Sequence, residues 1–495
     1  MSKKIVSIFI IILVMASMTP WALAMEQVPY ETYTYDHWEY IVFTPAAYVP
    51  GESISGVNLG IGAFSDPQGM YVGDDGAVYI ADTGNSRIVV LEPDLHTVRR
   101  VIDSFYIDGV RDTFDKPRGV STAIDGYIYV ADTENRRVIA LDGDTVVRVI
   151  SNPQSEMLED NFDFVPLKVT VDFAGRVFVI ARNMFQGIMT FNQDGEFVGF
   201  YGTINVTITL WQRFWRAIST QEQRARQQLF IPTEFTGLDV DPAGFVYASN
   251  VDRAGEQAVR RLNPNGEDVL RRGENDNVGG DLLQFPASDS AFAGPSNIID
   301  VTYRGKGMYS LLDSRRGRIF TYDHEGNLLY IFGGMGQQAG TFRQPTAIAA
   351  QETRILALDA IRNELITFEQ TQYGALINQA IALRYDGDET QAVEKWREVL
   401  ILNENFELAN AGIGKAYLTA GDNETAMYYL ELGMDRVHYS IAFRRWRNDF
   451  LKDNIGWMLT LLVIGIFAYV VIRIILRRKR GHVVDDDVTG GGMIA

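Results

Sequence analysis

Residues 81–91 have the sequence ADTGNSRIVVL, and residues 131–141 repeat it as ADTENRRVIAL at a spacing of 50 residues. A tight turn and a short apolar strand precede each copy, at 75–80 and at 125–130. Repetition at a period of roughly 20–50 residues indicates a supersecondary unit that cannot bury its apolar face alone. Short strands joined by tight turns make that unit a four-stranded blade, so the sequence predicts a β-propeller.

The same register continues downstream and predicts six blades. Taking Ala81 and Ala131 as reference points, the equivalent positions are Ala181, Ala248, Leu312 and Leu358. In this register Arg182 and Ser249 replace the aspartate in blades 3 and 4, whereas Asp313 and Arg318 restore the Asp–Arg pair in blade 5. Blade 6 keeps Asp359, but Glu364 stands where the arginine is expected. Residues 48–59 precede the first Phe-x-x-Pro segment as 330–340 precede the last one. The N-terminal strand is therefore expected to complete the sixth blade and close the ring, which removes exposed strand edges.

The two copies resemble the NHL repeat family at Asp82, Thr83, Asn85 and Arg87 and at their counterparts fifty residues later. The resemblance implies a mainly β fold, a six-bladed propeller over residues 61–369. A carboxylate–guanidinium pair that recurs from blade to blade is more simply a turn-fixing device than a catalytic group, which needs to occur only once. The repeat-motif residues are therefore expected to be structural: Asp82, Asn85, Arg87, Asp132, Asn135, Arg137, Asp313 and Arg318.

Composition excludes several classes of site. The net charge of −18 opposes binding to nucleic acid, because neutralising phosphates requires clustered Lys and Arg. The chain has no cysteine, so disulfides, thiolate metal sites and cysteine nucleophiles are excluded. No phosphate-binding loop, nucleophile elbow or zinc-protease motif occurs.

The N-terminal part of the sequence is typical of an exported protein. Residues 1–24 have two lysines, an apolar core and the small-residue site Ala22-Leu23-Ala24, which predicts a signal peptide; an uncleaved anchor is the alternative. Both place the following chain outside the cytoplasm. Residues 25–60 are rich in tyrosine. We expect them to pack along the folded body and to include the ring-closing strand, in preference to forming a sugar-stacking platform.

Two insertions are predicted, at about 203–230 and 271–293. The first contains Trp211, Phe214 and Trp215 on one face of a helix, with Arg213 and Arg216 beside them. These five residues are candidate contacts to a membrane surface or an acidic partner. We prefer the interpretation that this helix is a lid whose aromatic face packs onto the propeller. The second insertion is rich in Gly, Asp and Asn and is expected to be a loop.

After residue 369 the apolar period changes from two to 3.6 residues. Helices predicted at 373–385, 389–402, 406–420 and 424–434 form two hairpins at a 34-residue spacing, which resembles tetratricopeptide repeats (370–450) and implies a surface for a protein partner. A third helix, 437–450, would cap them.

Residues 454–476 are apolar enough to cross a bilayer, and 477–495 form a short tail. With the export signal, this predicts a single-pass membrane protein with an extracytoplasmic propeller and a cytoplasmic tail.

The sequence favours binding over catalysis. His96 and His324 fall in or beside outer turns, and His37, His438 and His482 lie outside the blades, so no histidine is expected in the central channel. The leading hypothesis is a membrane-anchored scaffold or accessory subunit of an envelope transport or surface-polymer assembly, without a cofactor. One alternative is a calcium-dependent, lactonase-like hydrolase or lyase in the channel, with Ca²⁺ held by Asp, Glu and Asn. The other is a carbohydrate-binding sensor.

Overall fold

The structure is a computed structural model that describes residues 28–158, 162–203, 234–252, 257–272, 278–281 and 294–485, with side chains to residue 478. The predicted export signal, nearly all of the first insertion, most of the second insertion and the end of the tail lie outside these ranges. So do the five candidate contact residues Trp211, Arg213, Phe214, Trp215 and Arg216, and their predicted role stays a prediction.

The described chain begins with three strands. A two-stranded hairpin comprises β1 (Tyr33–Tyr35) and β2 (Ile41–Phe43), and β3 (Tyr48–Ser55) follows. β3 pairs antiparallel with the last strand of the propeller, from Ser55 opposite Glu364 to Tyr48 opposite Gln370. The first strand of the ring therefore completes its last sheet, as the repeat register predicts.

Six sheets form the six blades. Blade 1 contains β4 (Pro67–Val72), β5 (Val78–Asp82), β6 (Arg87–Leu91) and β7 (Val98–Ile102). Blade 2 contains the added hairpin β8 (Ser104–Ile107) and β9 (Val110–Thr113), then β10 (Pro117–Thr122), β11 (Ile128–Asp132), β12 (Arg137–Asp142) and β13 (Thr145–Ser151). Blade 3 contains β14 (Pro166–Val171), β15 (Val177–Ala181), β16 (Ile188–Phe191) and β17 (Phe197–Tyr201).

The second half of the ring repeats the same order. Blade 4 contains β18 (Phe235–Val240), β19 (Val246–Asn250) and β20 (Val259–Leu262). Blade 5 contains β21 (Ile298–Gly305), β22 (Met308–Asp313), β23 (Ile319–Tyr322) and β24 (Leu328–Phe332). Blade 6 contains β25 (Pro345–Gln351), β26 (Arg354–Asp359) and β27 (Glu364–Gln370), with β3 outside them. The predicted six-bladed, mainly β architecture is confirmed.

The hydrophobic core lies between neighbouring sheets. Val78, Ile80 and Val89 of blade 1 pack in one cluster with Leu356 and Leu358 of blade 6. The central strands are buried on both faces, and β15 is accordingly a continuous apolar run without polar alternation. Because each blade buries its faces only against its neighbours, the closed ring is the unit of stability.

Helices follow the propeller. Helices α1 (Gln372–Tyr385) and α2 (Glu389–Leu402) belong to the compact unit that ends at Phe406. A second unit contains α3 (Glu407–Ala420), α4 (Asn423–Leu432) and α5 (Arg436–Asp485). Thr371, Asp388 and Asp422 cap α1, α2 and α4 by accepting a backbone N–H. The predicted α-helical C-terminal part is confirmed.

Helix α5 contains the predicted membrane span. An 18-residue window within residues 436–478 has a mean hydropathy of 2.7 and none of it is buried, so by length and composition this helix can cross a bilayer. The helix is unbroken: its first turns pack against the other helices of the second unit, and the apolar span follows them without interruption.

Candidate functional site: the central channel and the N-terminal hairpin

The aspartate of the repeat motif joins three parts of blade 2. One carboxylate oxygen of Asp132 accepts the backbone N–H of Asp115 at 2.8 Å. Its other oxygen accepts Asn135 Nδ2 at 2.9 Å and Arg137 Nε at 2.8 Å. Asp132 is completely buried, and burial raises its pKa in spite of these donors. The motif therefore ties the loop before the innermost strand to the turn between the second and third strands.

The same contact recurs around the ring. Asp82 accepts the backbone N–H of Ser65 at 2.7 Å as well as Asn85 at 2.9 Å and Arg87 at 2.7 Å. Asp313 accepts the N–H of Asn297 at 2.7 Å, and Asp359 accepts that of Gln344 at 3.2 Å. The constant feature is the bond from the carboxylate to the preceding loop, and the arginine is an addition in the first two blades.

The predicted register of blades 3 and 4 is wrong by one residue. Asp82 and Asp132 pair with the first residue of the innermost strand, Pro67 or Pro117. By the same pairing, Ala181 (opposite Pro166) and Asn250 (opposite Phe235) take the aspartate position, whereas the prediction placed Arg182 and Ser249 there. Strand pairing across the sheet sets this register, and counting along the chain cannot detect a one-residue difference in loop length.

The predicted Asp313–Arg318 side-chain pair is also wrong. Arg318 donates to Asp281 at 2.6 Å, while Asp313 accepts Ser296 Oγ at 3.2 Å and the backbone N–H of Arg315 at 2.9 Å. Asp281 comes from the second insertion and is fully buried. The insertion thus supplies a carboxylate that replaces Asp313 as the partner of Arg318.

The central channel is lined by the innermost strand of every blade. Each of these six strands has a bulge between its first and third residues. The third residue is small in four blades: Gly69, Gly119, Gly237 and Ala347. A Cβ on Gly69 would lie 2.1 Å from the carbonyl oxygen of Arg118, so the blades meet backbone to backbone there. Glycine is required by this close approach.

Blades 3 and 5 carry charged residues at this position. Lys168 Nζ lies 3.3 Å from Asp300 Oδ2, which also accepts the backbone N–H of Ile348 at 3.1 Å. Both side chains are largely buried, at 18% and 6% exposure. Burial raises the pKa of Asp300, and Lys168 opposes that rise. The ion pair connects blades 3, 5 and 6 across the channel.

Beyond the ion pair, polar side chains surround a cavity of about 220 Å³. Four residues that line this cavity each lie two positions after the third residue of their innermost strand: Tyr71, Thr170, Asp239 and Thr302. Asp239 Oδ2 accepts the N–H of Tyr303 at 2.7 Å and Thr302 Oγ1 at 3.2 Å. Sequence reasoning missed Lys168, Asp239 and Asp300. The available signal was the Pro-x-Gly of blades 1 and 2, which reads Pro-Leu-Lys in blade 3.

Asp239 has an unusual electrostatic environment. Burial, with a further contribution from the charge of Asp300, raises the pKa of Asp239 to about 6. The pKa of Tyr71 rises to about 12, chiefly because of burial and then because of the nearby Asp239. A carboxyl group with a pKa of about 6 beside a cavity of this size can exchange a proton close to neutrality.

Asp239→Asn is expected to change the pH dependence of stability. The folded-state pKa of about 6 exceeds the unfolded value of about 3.9, so proton uptake stabilises the wild-type protein as pH falls through this window. Above pH 6 the ionised group destabilises it. The stability of the variant relative to wild type should therefore rise by about 2 kcal/mol from pH 4.5 to pH 8. Urea unfolding of both proteins across this range measures the difference; parallel curves would contradict the assignment.

Histidines and metal ligands do not gather at the channel in the described residues. His96 is exposed and lies 3.1 Å from Glu52, and His324 packs edge-on against Tyr385 with ring centroids 5.2 Å apart. No group of three or more His, Cys, Asp or Glu side chains in the described ranges is arranged to hold a metal ion. The calcium alternative therefore finds no ligand set in this part of the chain.

The N-terminal hairpin forms a second candidate site at the outside of the ring. The hydroxyl groups of Tyr33 and Tyr35 both donate to Asp281 at 2.6 Å. Burial and the charge of Asp281 raise the pKa of both tyrosines, so they remain neutral donors. On the same hairpin, Tyr40 is 66% exposed and Phe43 is 70% exposed. The tyrosine-rich segment is thus packed at its first strand and presents aromatic surface beyond it.

Comparisons with known proteins give one family match and several distant solved structures. Residues 64–91 match the family model of the NHL repeat, and no curated protein matches the chain. Virginiamycin B lyase from Staphylococcus aureus is 11% identical over 62% of this chain and 96% of the lyase, with a TM-score of 0.39. A protein of unknown function from Bacteroides thetaiotaomicron is 14% identical over 62% and 70%, with a TM-score of 0.39. A gluconolactonase-like protein is 13% identical over 66% and 94%, with a TM-score of 0.38.

These solved structures are too distant to carry an argument about activity. The family match covers β4, β5 and β6 with the Asp82–Arg87 turn, and the chain contains an NHL repeat in the first blade of a six-bladed β-propeller.

Proposed function

We propose that this chain is a membrane-anchored, non-catalytic binding protein that holds a protein partner on the extracytoplasmic side, as an accessory of an envelope assembly. The observation that carries the proposal is the exposed aromatic surface of the N-terminal hairpin. Tyr40, Ile41 and Phe43 expose 66%, 41% and 70% of their surface within four residues. A contiguous apolar patch on an otherwise acidic protein is typical of an interaction site.

The hairpin is held rigidly, which distinguishes this patch from a flexible loop. Tyr33 is 1% exposed, and its hydroxyl group is shared between Asp281 and Arg318. Arg318 in turn lies 3.3 Å from Glu31 and over the ring of Tyr33. A preorganised patch loses little conformational entropy when a partner binds. These contacts support the proposal of a rigid docking surface on the hairpin.

The channel contacts support binding over catalysis. Asp300 bonds to Lys168 and to the backbone of blade 6, and Asp239 bonds to the backbone of blade 5. These carboxylates join one blade to another, which is a structural use of their charge. The helical hairpin α3–α4, with its predicted likeness to a tetratricopeptide repeat, offers a further surface for a protein partner.

A small-molecule hydrolase or lyase in the channel is the second candidate. It is favoured by Asp239, whose pKa of about 6 suits a general base near neutral pH. This candidate predicts turnover of a small substrate that Asp239→Asn abolishes, while binding of that substrate persists. The scaffold proposal predicts that Asp239→Asn leaves partner binding unchanged.

Photo-crosslinking tests the hairpin directly. With a benzophenone amino acid at position 43 of the full chain in its native membrane, we expect one discrete protein adduct. The double substitution Tyr40→Ser with Ile41→Thr should reduce that adduct by roughly tenfold or more, because exposed aromatic anchors typically contribute about 2 kcal/mol or more to binding.

The matched control replaces equally exposed apolar residues elsewhere on the ring. Val110→Thr and Ile124→Thr change side chains that are 68% and 78% exposed in blade 2. This variant should keep the adduct, and all variants should unfold at the wild-type temperature. An adduct of equal yield in both variants, or adducts with lipid alone, would overturn the assignment of the hairpin to a protein partner.

A further inference from the structure

The beginning of α5 joins the second unit directly to the apolar span. Ala442 is fully buried with Leu418, Ala426 and Leu430, and Arg445 donates to the carbonyl oxygen of Leu418 at 3.1 Å. Beyond this contact the helix continues without a break through the apolar run 455–472. Because a helix rises about 1.5 Å per residue, Arg445 lies only about 15 Å from the start of the span. The packed part of this unit therefore lies close to any bilayer that the span enters.

The stretch between them, residues 443–453, is here named the collar. Phe443, Trp446 and Phe450 form a continuous stack along one face of the helix, with centroid separations of 5.9 and 5.6 Å. Phe443 and Phe450 remain 42% and 44% exposed. Trp457 lies within the span and is 52% exposed. Because it follows Phe450 by seven residues, about two helical turns, it lies on the same face of the helix. The aromatic stripe thus runs from the collar into the apolar segment.

The collar is basic, although the whole chain carries a net charge of −18. It contains four cations, Arg444, Arg445, Arg447 and Lys452, against two carboxylates, Asp449 and Asp453. Among the described residues, no carboxylate lies within ion-pair distance of Arg444, Arg447 or Lys452, and all three are exposed. A folded acidic protein that leaves these cations uncompensated presents them to an external anion.

The short distance from these cations to the apolar span points to lipid headgroups as the anion. Lys452 lies about 4.5 Å and Arg447 about 12 Å before Ile455 along the helix axis. The polar headgroup layer on each side of a bilayer is roughly 5–8 Å thick. Lys452 and Phe450 therefore fall inside it, and the two arginines fall within about one Debye length of its outer surface. Aromatic side chains are enriched at this depth because their rings are amphipathic.

We propose that the collar binds anionic lipid headgroups of the leaflet in which the span begins, and so holds the α3–α4 hairpin close to the bilayer surface. The inference rests on the membrane anchoring in the proposed function, and it adds a lipid specificity that the span alone does not require. The competing occupant, an acidic protein surface, becomes an outcome of the test.

The absence of native cysteine allows a clean experiment on the full chain. Tyr428→Cys, on the exposed surface of α4, provides one labelling site for a fluorescent donor. The labelled protein is placed in nanodiscs of phosphatidylcholine alone or with 30 mol% phosphatidylglycerol, with an acceptor on the lipids. Energy transfer reports the separation of α4 from the bilayer, and native mass spectrometry counts the retained phosphatidylglycerol.

We expect phosphatidylglycerol to raise energy transfer and to be retained with the protein, and added salt to reverse both. Arg444→Gln, Arg447→Gln and Lys452→Gln together should remove these effects, with retention falling by roughly fivefold for each cation. The matched control removes three cations far along the chain from the span: Lys306→Gln, Lys395→Gln and Arg397→Gln. It should behave as wild type.

The outcomes separate this inference from the anchor itself. Equal energy transfer with both lipids, or equal loss in the control variant, overturns the collar proposal while flotation with the nanodisc lipids still supports anchoring. Protein that fails to incorporate and is extracted at alkaline pH overturns the membrane anchor instead. Energy transfer that rises only in native membranes, without phosphatidylglycerol dependence, assigns the collar to an acidic protein.

Discussion

Lys168→Met should lower the free energy of unfolding of the propeller by about 3 kcal/mol at pH 8, because it leaves the buried carboxylate of Asp300 without its cation. The estimate is at the low end for a broken buried pair, since the channel cavity admits water to Lys168. The remaining bond from the N–H of Ile348 does not neutralise the charge. Chemical unfolding of the wild-type and variant chains measures the change.

Acidification and a second substitution provide the controls. Burial already raises the pKa of Asp300, and loss of Lys168 raises it further, so the loss should shrink as pH falls and the carboxyl group becomes neutral. Lys168→Met combined with Asp300→Asn should recover most of the stability, because the amide oxygen can still accept the Ile348 N–H. A loss that is independent of pH and is not recovered in the double variant would show that Lys168 acts through packing alone.

Asp132→Ala should destabilise the protein more strongly, by about 3–5 kcal/mol. The substitution removes a fully buried carboxylate and leaves the N–H of Asp115 without its acceptor. Arg137 and Asn135 each lose their bond to this carboxylate and keep only weaker or more exposed acceptors. Breaking a buried pair is expensive because the remaining charge stays desolvated. Thermal and urea unfolding test the value, and partner crosslinking at position 43 tests whether binding survives in the folded fraction.

The other carboxylate bonded to Arg137 provides a matched control. Asp112 accepts Arg137 Nη1 at 2.8 Å but is 38% exposed, so Asp112→Ala should cost no more than about 1 kcal/mol. If the two alanine variants were equally stable, the buried repeat-motif aspartate would not be a major contributor to the stability of the blade. Its conspicuous recurrence would then require a functional explanation.

The architecture was largely predictable because it depends on local signals. Tight turns such as Asp75-Gly76 and Asp125-Gly126, with apolar runs after them, specify strands and hairpins within a few residues of sequence. The change of period after residue 369 likewise predicts helices, and the apolar length of 454–476 predicts a membrane-crossing segment. Errors entered where the chain length between blades varies, as at Ala181 and Asn250.

The channel site could not be predicted in the same way. Lys168 and Asp300 lie 132 positions apart, and each occupies an ordinary strand position in its own blade. Their meeting depends on blades 3 and 5 both facing one axis. The partner of Arg318 was missed for a related reason: Asp281 reaches it from an insertion whose course has no repeat to compare with.

The sequence by itself determined the repeat, the strand and turn pattern, the acidic balance and the apolar span, since these are properties of neighbouring residues and of composition. Only the tertiary structure decided which charges converge in the channel, which carboxylate Arg318 binds and which faces of the hairpin and collar remain exposed. The physical reason is that closing the ring and packing the helices bring distant residues to within a few ångströms, where desolvation and charge pairing change their chemistry.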